Sequence, residues 1–140
     1  MLSSRDIERV QATLPALMAV KSASTEHFYQ RLFSHHPELQ PMFSSENLQT
    51  GKQQLALFEA IVGYVKHLDD LSVLNGVIDH IVHKHQQAGV QPAHYHIVGV
   101  HLIETLRELL GADFTSQTEQ AWQRAYQQLA TLFIEREQTG

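Results

Sequence analysis

Apolar residues recur at intervals of three and four along almost the whole chain, which is the spacing of one face of an α-helix. No convincing stretch alternates apolar and polar residues between turn formers, as a half-buried strand would. The pattern therefore predicts an all-α protein. We expect six helices, or seven if Asn75-Gly76 interrupts one of them.

Turn and capping residues divide this pattern into elements. The first helix follows Ser3 and Ser4 and is expected to kink at Pro15, because proline lacks an amide donor and crowds the preceding turn. Pro92 suits the first turn of a later helix, and Ser116-Gln117-Thr118-Glu119 matches a capping box for the last one. The other predicted segments are a helix over 23–34, a tight corner over 37–43, a polar loop over 44–50, and helices over 51–68, 70–88 and 92–110.

Composition narrows the class of protein. The 140 residues are 43% hydrophobic and include no cysteine, so one domain must fold on its own core without disulfides. A net charge of -5 argues against nucleic acid or an anionic membrane as a partner. The N-terminus carries charges where a signal peptide is apolar, and no apolar run is long enough to span a membrane. We expect a soluble cytoplasmic protein.

Ten histidines equal the lysines and arginines combined, and they are the first chemical clue. Five of them are isolated or lie at a helix end, and we expect these at the surface: His27, His35, His36, His67 and His101. The dense region is Asp79 to His85, followed by His94 and His96. A zinc or nickel cluster is one interpretation. At about 100° per residue, however, His80 and His83 share a helix face while His85 points away from His83, so the three cannot converge on one ion.

His85 differs from its neighbours because it lies near an apolar stripe of its helix. It is either a core histidine bonded to a carbonyl or a single axial metal ligand, as a haem requires, and the spacing alone does not separate the two. Tyr95 lies one turn into the next helix, where its hydroxyl would reach the second ring nitrogen of His85. The alternative is simple aromatic packing between two helices.

The long apolar helix over 51–68 is suited to forming the other wall of a cavity for a flat apolar cofactor. Tyr29 and Gln53 are then the polar residues of interest. Taken singly, each is more often an ordinary helix residue with a solvated or satisfied polar tip.

Several short blocks of residues, spread over nearly the whole chain, match the sequence pattern of one protein family without an insertion or deletion. They are Phe28-Tyr29 with Leu32-Phe33, His36-Pro37-Glu38, Pro41 with Phe43, Lys84-His85 with Gln87-Ala88-Gly89-Val90, Ala93-His94-Tyr95 with Ile97-Val98-Gly99, and Ala121-Trp122 with Ala125-Tyr126. With these blocks the chain resembles the bacterial single-domain haemoglobins of the flavohaemoglobin type.

The resemblance implies a three-over-three globin fold that encloses haem b (protohaem IX), with one iron per chain. It implies that His85 is the proximal iron ligand and the metal-binding residue. The other residues that it places around the cofactor are Phe43, stacked on the porphyrin, Leu57 over the iron, Val98, and the dioxygen hydrogen-bond donors Tyr29 and Gln53. Tyr95 and Glu137 correspond to a proximal His-Tyr-Glu network, so the candidate catalytic set is Tyr29, Gln53, Tyr95 and Glu137.

Three features depart from the family pattern. Gln54 and His96 stand where relatives have proline, and Glu137 lies close to Gly140, where helices fray. In addition, 140 residues hold a single globin domain and leave no space for the flavin- and nicotinamide-binding reductase of flavohaemoglobins. Any turnover is therefore expected to draw electrons from a separate flavin reductase.

Two functions follow as hypotheses. The first is reversible binding of dioxygen for storage, delivery or buffering, with NO and CO as further ligands. The alternative is a nitric oxide dioxygenase that converts NO and O2 to nitrate with an external reductase. Oxygen binding ranks first, a non-haem metal-binding protein ranks a distant third, and a homodimer is left open.

Overall fold

The computed structural model describes residues 2–21 and 23–139, and these ranges contain α-helices, 3-10 helices and no strand. The all-α prediction is therefore confirmed. The α-helices are α1 (Ser4–Gln11), α2 (Leu14–Val20), α3 (Ala23–His35), α4 (Ser45–Thr50), α5 (Lys52–Lys66), α6 (Asn75–Ala88), α7 (Pro92–Leu110) and α8 (Ser116–Thr139). The 3-10 helices cover Pro37–Met42, Leu71–Leu74 and Gly111–Asp113.

The first predicted helix is broken rather than kinked. α1 ends at Gln11, four residues before Pro15, and α2 begins with Pro15 in its first turn. Proline offers no amide to the carbonyl four residues earlier and its ring crowds that carbonyl, whereas a proline in a first turn costs nothing. The chain therefore stops and restarts its helix at this point.

The polar loop predicted over 44–50 is wrong, because this segment forms α4. The Ser44 side chain caps it by accepting the Asn47 amide at 3.2 Å, and Gly51 ends it in the left-handed region at φ 83°. A six-residue polar helix has no apolar stripe to reveal it, and its caps decide its formation.

Two other boundaries differ from expectation. The helix predicted over 70–88 is a 3-10 helix over Leu71–Leu74 followed by α6, so the chain changes helix type at Asn75. At the start of α8, the Thr115 hydroxyl accepts the Thr118 amide at 3.2 Å. Glu119 bonds to Arg107 at 2.7 Å, which leaves Thr115 and not a Ser116–Glu119 box as the cap.

The helices pack in two layers of three. α1 and α6 pack on α8, α5 packs on α3, and α7 lies between α3 and α8. If α1 and α2 are counted as one broken helix, the first layer is α1–α2, α5 and α6 and the second is α3, α7 and α8, as the resemblance implies. In residues 2–21 and 23–139, no helix combines the length and the apolar character that a membrane crossing requires.

The buried apolar residues form two clusters rather than one. The larger cluster includes Phe28, Tyr29 and Phe58, and the smaller one surrounds Tyr95 and Phe133. Compact domains of this size usually have a single contiguous core. The larger cluster contains residues of α5 and the smaller one residues of α6, and candidate site residues belong to both.

His101 is buried, which corrects the prediction that it lies at the surface. His101 lies on the face of α7 that packs against the end of α3. The centroid of its ring is 5.0 Å from that of His35 and 5.4 Å from that of His36. The residue is 5% exposed, and its Nδ1 has no hydrogen-bond partner in the described part of the chain. Burial, the charges of these two histidines and the nearby Arg31 lower the pKa of His101, while Glu104 opposes the shift.

We expect this imidazole to make the fold sensitive to acid. Because the pKa of His101 is lowered from 6.5 in the folded state, the unfolded chain binds its proton first, and stability is lost as the pH falls below about 6.5. Urea unfolding at pH 7.5 and 5.5 measures this loss, and the loss should be smaller in His101→Leu. An equal loss in both proteins would contradict the assignment.

Candidate functional site

His85 lies in the last turn of α6, just before Gly89 ends the helix in the left-handed region at φ 76°. Its side chain is 32% exposed, and its ring packs edge-on against Phe133 at 5.4 Å and Tyr95 at 5.8 Å. α6 thus supplies a histidine that is held on one side by aromatic rings. His80 and His83 of the same helix are exposed.

One ring nitrogen of His85 is engaged in a chain of hydrogen bonds. Nδ1 lies 2.8 Å from the Tyr95 hydroxyl, as the sequence predicted, and this hydroxyl donates to Glu137 Oε1 at 2.5 Å. Because the phenol proton points to the carboxylate, the phenol oxygen accepts from Nδ1–H. This arrangement selects the tautomer with a lone pair on Nε2. No hydrogen bond among the described residues involves Nε2.

Electrostatics reinforce this assignment of protons. Burial lowers the pKa of His85, although the Glu137 carboxylate, 3.5 Å from Nδ1, opposes the shift. Burial and then the hydrogen bond and charge of Glu137 raise the pKa of Tyr95 well above its usual range. At neutral pH the imidazole is therefore neutral and the phenol keeps its proton.

Glu137 is held within α8 despite its place near the end of the chain. Its side chain is 12% exposed, and its backbone carbonyl accepts a hydrogen bond from the Gln86 amide at 3.2 Å. Gln86 directly follows His85 on α6. The same two helices therefore fix both the imidazole and the carboxylate.

Tyr126 and Gly99 support the chain of hydrogen bonds, and the sequence pattern assigned neither a role. The Tyr126 hydroxyl donates to the Tyr95 carbonyl at 2.6 Å. A Cβ on Gly99 would lie 2.5 Å from Cε2 of this ring, so only glycine permits the approach. An isolated glycine inside an apolar helix was the available signal of a close contact.

Tyr29 belongs to the larger core cluster and is bonded to Gln53. Gln53 Nε2 donates to the Tyr29 hydroxyl at 2.9 Å, which leaves the Tyr29 proton available to another acceptor. Tyr29 is 4% exposed, and burial raises its pKa to about 12, with the Gln53 bond as a smaller opposing effect. Tyr29 therefore remains a hydrogen-bond donor at neutral pH.

Aromatic and aliphatic side chains surround this donor pair. The centroid of the Tyr29 ring lies 5.7 Å from that of Phe33 and 5.4 Å from that of Phe43. The centroids of Phe33 and Phe43 are 5.5 Å apart. Phe43, Leu57 and Val98 are each half-buried against the larger core cluster. Side chains of this kind leave apolar surface available to a ligand.

These residues fit a haem. The donor set is one neutral imidazole whose Nε2 has no hydrogen-bond partner in the described part of the chain, which is what a single axial ligand requires. The larger core cluster supplies apolar side chains together with one pair of polar groups, as expected for a flat apolar cofactor. The ranges 2–21 and 23–139 contain no group of three or more histidine, aspartate or glutamate side chains that could hold a metal ion.

Residues 26–132 match the globin family. A flavohaemoprotein from Vibrio cholerae is 49% identical over 137 residues, which are 98% of this chain and 35% of that protein. One from Bordetella pertussis is 45% identical over the same length, covering 98% of this chain and 34% of that protein. The chain thus spans about a third of these relatives.

Solved structures of globins are also similar to this chain over nearly its whole length. A bacterial globin from Campylobacter jejuni has a TM-score of 0.91 at 30% identity, covering 98% of this chain and 97% of that one. An engineered carbene transferase from Rhodothermus marinus that carries the name nitric oxide dioxygenase has a TM-score of 0.92 at 32% identity, covering 99% and 95%. The flavohaemoglobin of Malassezia yamatoensis, solved with bound FAD and haem, has a TM-score of 0.86 at 28% identity, covering 99% and 37%.

The two-layer arrangement of helices agrees with these structures, and the prediction of a globin fold is confirmed. The family match covers most of the chain, including His85, Tyr95, Tyr29 and Gln53. The chain therefore belongs to the globin family.

Proposed function

We propose that the protein binds one haem b per chain and uses it to bind dioxygen reversibly, with NO and CO as further ligands. The observation that carries the proposal is the imidazole of His85, whose Nδ1 is bonded to Tyr95 and whose Nε2 has no partner among the described residues. When bound, haem supplies an iron that takes up diatomic ligands and can change oxidation state.

His85 would hold the iron through Nε2, and Phe43, Leu57 and Val98 would supply apolar contacts to the porphyrin. Tyr29 would donate its free hydroxyl proton to a dioxygen ligand, while Gln53 orients this hydroxyl through the 2.9 Å bond. The surrounding aromatic rings exclude water from this donor and so strengthen its hydrogen bonds.

Nitric oxide dioxygenase activity is the second candidate, and the His85-Tyr95-Glu137 chain of hydrogen bonds favours it. A carboxylate and a phenol aligned on Nδ1–H increase the electron donation of the imidazole, which favours redox chemistry over simple ligand binding. Similarity to the Rhodothermus marinus protein that carries the name nitric oxide dioxygenase points in the same direction. Turnover needs an electron donor, and we propose a flavin reductase.

Nitrate measurements separate the two functions. The haem-loaded, oxygenated protein is mixed with NO and nitrate is followed, first alone and then with a heterologous flavin reductase and NADH. The binding function predicts one stoichiometric burst without recovery. Sustained nitrate formation that falls in Tyr95 and Glu137 variants would reverse the ranking and make the enzyme the better account.

The bond between the iron and His85 should report the proximal hydrogen bonds. We expect Tyr95→Phe and Glu137→Gln each to lower the iron–imidazole stretching frequency in the resonance Raman spectrum of the ferrous protein, because each weakens the pull on Nδ1–H. Gln138→Glu, at an exposed neighbouring position, is the matched control. Glu137→Gln without effect would mean that the carboxylate does not act on His85.

A further inference from the structure

Gln54, the third residue of α5, joins three helices at the start of the distal wall. Its side-chain amide donates to the Leu48 carbonyl of α4 at 3.1 Å, and its backbone carbonyl accepts from the Thr25 hydroxyl of α3 at 2.8 Å. Thr25 is 1% exposed, so the second bond is sheltered from water. The first turn of α5 is therefore tied to α3 and α4 at one residue.

The hydrogen bonds of Gln54 lie next to the hydrogen bond between the candidate donors Gln53 and Tyr29. Thr25 and Tyr29 are four residues apart on α3 and so share one face. Thr25 bonds to Gln54, and Tyr29 bonds to the adjacent Gln53. Two adjacent residues of α5 thus bond to two residues that lie one turn apart on α3, so a shift of the first turn of α5 would move both bonds together.

The side chain of Gln54 also stabilises the junction between α4 and α5, which we call the corner. α4 has only six residues and is separated from α5 by Gly51 alone, which has φ 83°. Leu48 lies in the last turn of α4, where carbonyls have no partner inside the helix. The Gln54 amide supplies this partner across the corner. Without it, glycine would leave the entry to α5 free to move.

The other polar atom of the Gln54 side chain has no such compensation. Its Oε1 is buried and has no partner in the described part of the chain. An unpaired buried oxygen destabilises a fold, so a side chain that only fills space would be better apolar. The single bond to Leu48 is the polar contact that this amide makes.

We propose that Gln54 is a positioning residue for the distal donors: it locks the corner between α4 and α5 so that Gln53 stays directed at the Tyr29 hydroxyl. This inference rests on the proposed dioxygen-binding function. Gln54 does not touch the ligand in this account and acts only through Gln53.

Dioxygen dissociation from the haem-loaded protein tests the inference by stopped flow. Gln54→Met keeps the length and removes the amide, and we expect it to speed dissociation roughly fivefold, as expected for loss of one hydrogen bond. In a Gln53→Leu background the same substitution should have no effect, because the residue through which it acts is gone. CO dissociation should stay within about twofold of wild type, since CO gains little from these donors.

Hydrogen exchange of residues 48–56 gives a readout that does not depend on the ligand. Gln54→Met should raise exchange across this segment, and Gln49→Met, at an exposed position of α4, should not. Gln54→Glu, which has the same shape but no amide donor, should repeat the effect and guards against a folding defect of the first variant.

Three outcomes would overturn the inference. They are an equal acceleration of dissociation in both backgrounds, no acceleration at all, and unchanged exchange in both Gln54 variants. Failure of the proposed function has a different signature, because the wild-type chain would then take up no haem or would not bind dioxygen reversibly. The exchange experiment on Gln54 would still decide whether the corner is locked.

Discussion

His85→Ala is expected to abolish most haem retention by this chain. His85 bonds to Tyr95 through Nδ1, its Nε2 has no hydrogen-bond partner among the described residues, and no other residue is proposed to hold the iron. Loss of a residue that merely supports a metal ligand costs on the order of 10–100-fold in affinity, so loss of the ligand itself should cost more. Haem content per chain and the ferrous absorption spectrum measure the effect.

His80→Ala and His83→Ala are the matched controls, because both histidines lie on α6 and are exposed. We expect each to keep the haem content and spectrum of the wild type. If all three variants retained the same haem, the proximal assignment of His85 would be wrong.

Tyr29→Phe is expected to speed dioxygen dissociation roughly tenfold, which corresponds to about 1.4 kcal/mol for a buried donor to a polar ligand. Phenylalanine keeps the ring contacts with Phe33 and Phe43 and removes only the hydroxyl. Because burial raises the pKa of Tyr29 to about 12, the wild-type rate should not change between pH 7 and pH 10 through loss of this proton. Stopped-flow dissociation of O2 and of CO measures both claims.

CO dissociation is the internal control, since CO carries less charge to accept a hydrogen bond. An equal change for both gases would indicate that the substitution rearranges the pocket. Gln53→Leu should act in the same direction as Tyr29→Phe, and the double variant should fall short of the sum because the two side chains share one hydrogen bond.

Helical periodicity predicted the larger elements well because each buries a continuous apolar stripe. The helix over 92–110 was predicted with the bounds that α7 has. α4 was missed because its six polar residues depend on the Ser44 cap and Gly51. The burial of His101 depends on the end of α3 that packs beside it, which local spacing does not reveal.

Local residue spacing also failed to predict several contacts between helices in the candidate site. From the residues alone, His85 was equally a core histidine or an axial ligand, and the family resemblance chose between them. The contact of Tyr126 with Gly99 and the bonds of Gln54 join residues from different helices. Their spacing in the sequence carries no trace of these pairs, so the residues that support the site emerged only from the fold.

Reversible oxygenation tests the central claim most directly. The purified chain is loaded with haem, reduced, and followed by absorption spectroscopy while the gas phase alternates between argon and air. The account predicts a ferrous spectrum under argon, a distinct stable spectrum in air, and return to the first spectrum over several cycles. A chain that takes up no haem, or one whose spectrum never returns under argon because the iron is oxidised at once, would contradict it.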